Sequence, residues 1–174
     1  MKRNYKEKLN HITTFIFDVD GVLASSHVFM IPGQQPVRSF SSKDGFVLQL
    51  AVKKGYRIAI ITGGKSEGVR ERLNFLGIKD VFLGASDKKD ILEDYMILHQ
   101  LKQEEVLYMG DDIPDYEVMQ MVGVACSPAD AAPEVKAISD YVSLKNGGHG
   151  CVRDIVEQTL KVQHNWMLDG DGTW

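Results

Sequence analysis

Thr14-Phe15-Ile16-Phe17-Asp18-Val19-Asp20-Gly21-Val22 is a short apolar run that stops at two carboxylates and a glycine. Three apolar residues in a row after a β-branched threonine, without alternation, read as a strand buried on both faces, as in a parallel sheet. The same grammar recurs along the chain. Ile58-Ala59-Ile60-Ile61 runs into Thr62-Gly63, and Val106-Leu107-Tyr108-Met109 runs into Gly110-Asp111-Asp112, with Asp115 beyond. Val81-Phe82-Leu83 is followed by a helix opening near Lys88. Ligands of an open parallel α/β sheet bind outside the carboxyl ends of its strands, so these polar groups should meet in one crevice.

Between the strands lie helical patterns. Asp44 is placed to cap a helix running to about Lys54, with Phe46, Val47, Leu50 and Ala51 on one face. Helices are also expected over 66–75, 87–101, 114–121, 131–137 and 152–162, with weaker strands at 124–125 and 141–142. Such alternation implies βαβ units: an α/β, Rossmann-like, doubly wound parallel sheet with helices on both faces. After the first strand, His27 to Ile31 and Pro36 to Phe40 flank Pro32-Gly33-Gln34-Gln35, which reads as a β-hairpin over about 27–40. No linker or repeat divides the chain, so residues 1–174 form a single domain, with a core over about 12–162 and a loose tail over about 164–174.

Composition narrows the function. The 174 residues are 44% hydrophobic and 25% charged, as in an ordinary soluble globular protein. A net charge of −4 gives no electrostatic reason to expect nucleic acid or an anionic membrane. No apolar stretch is long enough for a membrane helix, and the charged N-terminus lacks the apolar segment of a secretory signal. Cys126 and Cys151, neither paired nor close to a His cluster, fit buried thiols in a reducing compartment, and the expected location is the cytoplasm.

The candidate chemistry follows from the polar groups. Asp18, directly after the strand, can act as a carboxylate nucleophile toward phosphorus, and Asp20 as the acid that protonates the leaving alkoxide and then the base that activates water. The turn at Gly21 lets backbone N–H groups face a phosphoryl group. Thr62 can bond a phosphoryl oxygen, although taken singly it reads more readily as a turn or helix N-cap threonine. Lys88 at a helix start opposes the macrodipole and calls for an anionic partner, with Lys89 beside it as a rival. Asp111 and Asp112 concentrate negative charge that a hard divalent cation would offset. Asp111 is therefore assigned to the metal with Asp18, and Asp112 to its surroundings. Asp115 either orients Lys88 or caps the following helix. The expected cofactor is Mg2+.

Two rivals use similar residues. Ala59 to Ser66 satisfies a relaxed nucleotide-binding loop pattern, but Ile60 and Ile61 extend an apolar strand where that loop needs flexible residues. A phosphoacceptor signalling domain places its acidic groups before the Thr and Lys, whereas here Asp111 and Asp112 follow Lys88.

In this order the four segments resemble the motifs of the haloacid dehalogenase superfamily of phosphatases, over roughly residues 14–160. The resemblance implies Asp18 as nucleophile, Asp20 as acid/base, and Mg2+ held by Asp18, the Asp20 backbone carbonyl and Asp111. The gaps between the first three motifs, about 44 and 26 residues, leave no room for a cap domain. The chain is therefore similar to the capless subfamily of 3-deoxy-D-manno-octulosonate 8-phosphate (KDO 8-phosphate) phosphatases. That subfamily has the hairpin and a phrase like Gly147-Gly148-His149-Gly150-Cys151-Val152-Arg153. The likeness implies a sugar acid phosphate substrate, a role in lipopolysaccharide synthesis, and a homotetramer built around the hairpins. Members often carry Arg where this chain has Gly64 and His149. Gly63, Gly64, Lys65, Arg70, Arg72 and His149 are the expected substrate-binding positions, and 2-keto-3-deoxynononate 9-phosphate is an alternative substrate.

Overall fold

In the computed structural model, which describes residues 4–173, six parallel strands form one sheet in the order β3-β2-β1-β4-β5-β6. The strands are β1 (Thr14–Phe17), β2 (Arg57–Ile61), β3 (Asp80–Phe82), β4 (Val106–Met109), β5 (Val124–Ser127) and β6 (Tyr141–Val142). β1 is central, pairing with β2 on one side and β4 on the other. The direction of winding reverses between β1 and β4, so the crevice for a ligand lies beyond Phe17 and Met109.

Alternate residues of the buried strands feed two cores. Phe15, Phe17, Ile58, Ile60, Leu107 and Met109 face one side, where they meet helices α1 (Tyr5–Leu9), α2 (Ser42–Lys53), α3 (Glu67–Phe75) and α7 (Cys151–Val162). Ile16, Ala59, Ile61 and Tyr108 face the other, against α4 (Lys88–Leu98), α5 (Tyr116–Met119) and α6 (Pro133–Ile138). The sheet is thus covered on both faces, as its uninterrupted apolar strands require. Both cysteines are buried and free, and no described helix is long and apolar enough to cross a membrane.

Several local readings change. The segment after β1 turns back on itself but forms no regular strands. One antiparallel pair, Phe29 with Val37, exchanges both backbone hydrogen bonds, and a second bridge joins Ala24 to Phe40. Ser41, not Asp44, caps α2, its hydroxyl accepting the Asp44 N–H. Asp44 is buried and instead accepts the Arg153 N–H at 2.7 Å, tying α2 to the start of α7. The helix expected over 114–121 is a 3-10 turn (Ile113–Asp115) followed by α5. Ala59, Ile60 and Ile61 lie inside β2 and are fully buried, which leaves no flexible loop to cradle a nucleotide there. No cap domain is inserted among the described residues. The tail turns back on the body, where Asp171 pairs with Lys54 at 2.8 Å.

Candidate active site

The ends of β1, β2 and β4 deliver Asp18, Thr62 and Asp111 to one crevice of about 490 Å3. Asp20, Gly63, Gly64, Lys88, Asp112 and Asp115 line the same crevice, together with Ser26 and Ser86. Nine of the positions singled out in the sequence therefore converge, although nearly a hundred residues separate the first from the last.

Its floor is a buried charge network. Lys88, at the first turn of α4, donates to Asp18 Oδ2 at 2.8 Å and to Asp115 Oδ1 at 2.7 Å. Side-chain exposures are only 6% for Lys88, 11% for Asp18 and 1% for Asp115, so solvent screens these pairs poorly. The anion demanded by a lysine at a helix start is thus supplied twice. Lys89, the rival, points outward and is exposed. Asp115 does not cap the following helix. Its Oδ1 also accepts the Tyr108 hydroxyl at 2.7 Å, and its Oδ2 accepts the Asp111 N–H at 3.1 Å. Asp112 takes the local capping role, accepting the Ile113 N–H at 2.8 Å.

The remaining carboxylates are electrostatically unhappy. Burial, then the charge of Asp115, pushes the Asp18 carboxyl up to about 6, with Lys88 pulling the other way. Burial, followed by Asp18, Asp115 and Asp112, raises Asp111 to about 7. Oxygens of Asp18, Asp111 and Asp115 lie within 4.8 Å of one another. Fully ionised, three carboxylates against one ammonium leave this cluster two negative charges in excess. Asp115 has both oxygens engaged by Lys88, Tyr108 and the Asp111 amide; Asp18 accepts the Val19 N–H at Oδ1 and Lys88 at Oδ2, and both Asp18 and Asp111 line the crevice. That is the donor set and the charge a hard divalent cation requires.

Two glycine contacts hold the parts together. Gly21 has φ +81°, and a Cβ built on it would lie 1.9 Å from Asp111 Oδ2, so only glycine lets the β1 turn pass that carboxylate. A Cβ on Gly147 would lie 1.9 Å from the Gly21 carbonyl oxygen. The Gly148 N–H donates to the Val22 carbonyl at 2.8 Å, and the Cys151 thiol to the same oxygen at 3.3 Å. The Gly147–Gly150 loop thus supports the nucleophile turn from behind.

Four expected substrate-binding residues lie off the crevice. His149 is exposed, with Nδ1 2.7 Å from the Gly147 carbonyl oxygen. Lys65 lays its stem over Gly84. Arg70 donates to Glu67 and to the Val81 carbonyl. Arg72 lines an adjoining groove of about 510 Å3 between the post-β1 segment and α3. That groove also holds Arg38, which sequence reading passed over. Arg38 donates from Nε to Asp20 Oδ1 and from Nη2 to Asp20 Oδ2, the latter at 2.9 Å. No motif marks it: only the folding back of residues 36–40 brings it to the site.

A carboxylate at the end of a central parallel strand, backed by a buried lysine and faced by a second strand-end carboxylate, defines a haloacid dehalogenase-like hydrolase. The family model of haloacid dehalogenase-like hydrolases matches residues 80–155. The chain is 35% identical over 156 residues to 3-deoxy-D-manno-octulosonate 8-phosphate phosphatase KdsC of Escherichia coli K12, covering 90% of this chain and 83% of that protein. The Yersinia pestis protein of the same name is 32% identical over 157 residues, covering 90% and 84%. Among solved structures, the Moraxella catarrhalis phosphatase in complex with a magnesium ion, a phosphate ion and KDO superposes with a TM-score of 0.91 at 32% identity, covering 95% of both chains. The cobalt-bound Haemophilus influenzae phosphatase gives 0.88 at 31% identity, covering 93% of this chain and 95% of that one. The chain belongs to the family of 3-deoxy-D-manno-octulosonate 8-phosphate phosphatases, and it is a phosphatase.

Proposed function

We propose that the protein is a Mg2+-dependent phosphomonoester hydrolase that converts KDO 8-phosphate to KDO and phosphate through an aspartyl-phosphate on Asp18. The observation that carries this reading is the Lys88-backed Asp18 facing Asp111 at the winding reversal of the sheet. Asp18, Asp111 and the backbone carbonyl of Asp20 would hold the ion. Bound there, Mg2+ offsets the excess charge of the cluster and polarises the phosphoryl oxygens. Lys88 holds Asp18 oriented for in-line attack. Thr62 and the backbone of Gly63 and Gly64 receive the phosphoryl oxygens. The Asp18 oxygen bonds to phosphorus as the sugar–oxygen bond to phosphorus breaks, and Asp20 gives its proton to the departing alkoxide. Asp20 then takes a proton from the water that attacks the aspartyl-phosphate, returning Asp18.

Arg72, on the groove beside the crevice, would meet the sugar acid's carboxylate. Supply of KDO for lipopolysaccharide synthesis, in the cytoplasm, is the cellular role that fits this substrate. The post-β1 segment also exposes a cluster of apolar side chains, Phe29 at 69% and Met30 at 72% with Val28, Ile31 and Val37. A patch of this kind marks an interaction surface. The fitting occupants are the same segments of other copies, in a homotetramer that also closes the open crevice.

The test is Mg2+-dependent phosphate release from KDO 8-phosphate, 2-keto-3-deoxynononate 9-phosphate and hexose phosphates, with Asp18→Asn as control. Preference for the eight-carbon acid and no turnover by Asp18→Asn are expected. A preference for the nine-carbon acid would move the substrate and keep the chemistry. Appreciable turnover by folded Asp18→Asn would remove Asp18 as nucleophile.

A further inference from the structure

Asp20 must deliver a proton to the leaving oxygen, yet nothing on its own turn fixes its side chain, which is 36% exposed. What does fix it comes from elsewhere. Arg38 grips both carboxylate oxygens in a fork, Nε to Oδ1 and Nη2 to Oδ2, while its Nη1 donates to the Pro36 carbonyl at 2.9 Å. Such a two-point fork fixes the plane as well as the position of a carboxylate. The arginine itself has little freedom. Its side chain is 8% exposed, and its backbone lies between two anchored pairs, Val37 with Phe29 and Phe40 with Ala24.

Position 64 belongs to the same arrangement. A Cβ built on Gly64 would lie 3.4 Å from Arg38 Nη2, 3.6 Å from Thr62 Oγ1 and 3.8 Å from Asp20 Oδ2. The guanidinium therefore borders the space that a side chain at 64 would enter. An alanine would fit at ordinary van der Waals distance, and only atoms beyond Cβ that turn toward the guanidinium would press on it. Gly64 has no positive φ, so backbone conformation does not require the glycine.

We propose that Arg38 is the positioning residue of this phosphatase: it holds Asp20 in line with the leaving oxygen. The proposal rests on the aspartyl-phosphate reading above. The fork takes one lone pair on each carboxyl oxygen, and a protonated carboxyl still has one on its hydroxyl oxygen, so the acid can keep the fork while its O–H faces the alkoxide. The ionised form keeps the same fork and has lone pairs left to take the proton from water. Arg38 touches neither phosphorus nor the nucleophile, so it acts through Asp20.

The leaving group separates this role from general damage. A sugar alkoxide departs poorly without a proton, whereas p-nitrophenolate departs well without one. The ratio kcat/KM covers only the steps through the first irreversible one, here formation of the aspartyl-phosphate and loss of the alcohol. Misplacing Asp20 in Arg38→Met should therefore lower kcat/KM for a sugar phosphate by about 10- to 100-fold, the range set by general-acid help and misplacement of a catalytic group. For p-nitrophenyl phosphate the loss should stay within about threefold, because little acid help is there to lose. Arg38→Lys should recover part of the sugar phosphate rate. Arg38→Lys, which keeps the charge and loses only the two-point fork, also carries the test if Arg38→Met does not fold, through a smaller loss on the sugar phosphate with p-nitrophenyl phosphate turnover again within about threefold.

Equal losses on the two esters would overturn the proposal, since they would mean that the arginine only supports the site. No loss would overturn it too, as would a rise in KM confined to esters bearing a carboxylate, which would make Arg38 a substrate ligand. Failure of the underlying reading would show earlier and elsewhere, as wild-type protein that releases no phosphate or Asp18→Asn that still does.

Discussion

Replacing Lys88 by Met tests the charge balance on which the site depends. The lysine is 6% exposed and bridges Asp18 and Asp115, themselves 11% and 1% exposed. Burial opposes its charge, but the two carboxylates outweigh that and raise its pKa, so it stays an ammonium. Methionine fills similar space without charge and leaves two carboxylates buried side by side. Removing one partner of a buried pair costs about 3–5 kcal/mol. In a domain of this size each kcal/mol moves Tm by about 2–4 °C, so metal-free Lys88→Met should melt about 6–20 °C below wild type. The carboxylates can relieve themselves by taking up a proton, which makes the deficit smaller in acid than above neutrality. The second half of the expectation is sharper. With lysine the cluster carries two excess negative charges, which one Mg2+ neutralises; with methionine it carries three. Saturating Mg2+ at about 100 times its Kd stabilises by about 2.7 kcal/mol in wild type, and more in the variant because binding is tighter. Lys88→Met should thus be less active, less stable without metal, and more strongly stabilised by metal. Calorimetry of both proteins in chelator and in Mg2+ reads this directly. A Mg2+ increment equal to or smaller than that of wild type would refute the charge-balance argument.

The same cluster predicts a pH dependence. Asp18 and Asp111, raised from 3.8 to about 6 and about 7, bind protons more tightly folded than unfolded. Their contribution to stability is therefore complete below about 3.8 and lost as pH rises through about 6–7. Metal binding needs the ionised carboxylates, so the rise in Tm on adding Mg2+ should grow between about pH 5 and 8, and an increment flat across that range would contradict the assignment. Gly21→Ala places a methyl 1.9 Å from Asp111 Oδ2 at a φ of +81°. The left-handed backbone costs about 1–2 kcal/mol, a few degrees in Tm. The larger effect falls on Asp111, so Mg2+ should no longer raise Tm and turnover should fall at least about 100-fold. A variant that keeps its Mg2+ increment would show that the turn does not set the carboxylate.

The parallel sheet was readable because its strands are buried on both faces. Phe15, Ile16, Ile60, Ile61, Leu107 and Tyr108 have no solvent side to mark with a polar residue, so the runs are unbroken and their ends are sharp. Helix ends were less readable because tertiary bonds compete with local ones. Asp44 has the chemistry of a cap, but its carboxylate is drawn to the Arg153 N–H, and Ser41 takes the cap instead. Asp115 looks like the start of a helix over 114–121. Three donors from β4, α4 and the Asp111 amide claim its oxygens, and only a 3-10 turn and one short helix follow. α1 carries Tyr5, Lys6, Glu7 and Lys8 with Leu9 as its one buried residue, which gives no periodicity to detect.

Site residues divide along the same line. A strand end fixes the direction of the next side chain or two, so Asp18, Thr62 and Asp111 could be placed together from local pattern alone. Residues on helices and loops carry no such address. Arg70, Arg72 and Lys65 follow Thr62 closely, yet α3 turns Arg70 toward Glu67 and Arg72 to the groove beside the site, while Lys65, ahead of the helix, lies over Gly84. His149 sits in a phrase that resembles a substrate loop, while Gly147 and Gly148 in that loop press against the back of the β1 turn. Arg38 is the converse case. Its neighbours Val37 and Phe40 fix it by backbone pairing to residues 29 and 24, which no spacing rule foretells. A Cβ on Gly64 would lie 3.4 Å from Arg38 Nη2, which shows how closely the two segments approach, but a glycine after a strand does not by itself point to an arginine 26 positions earlier in the chain.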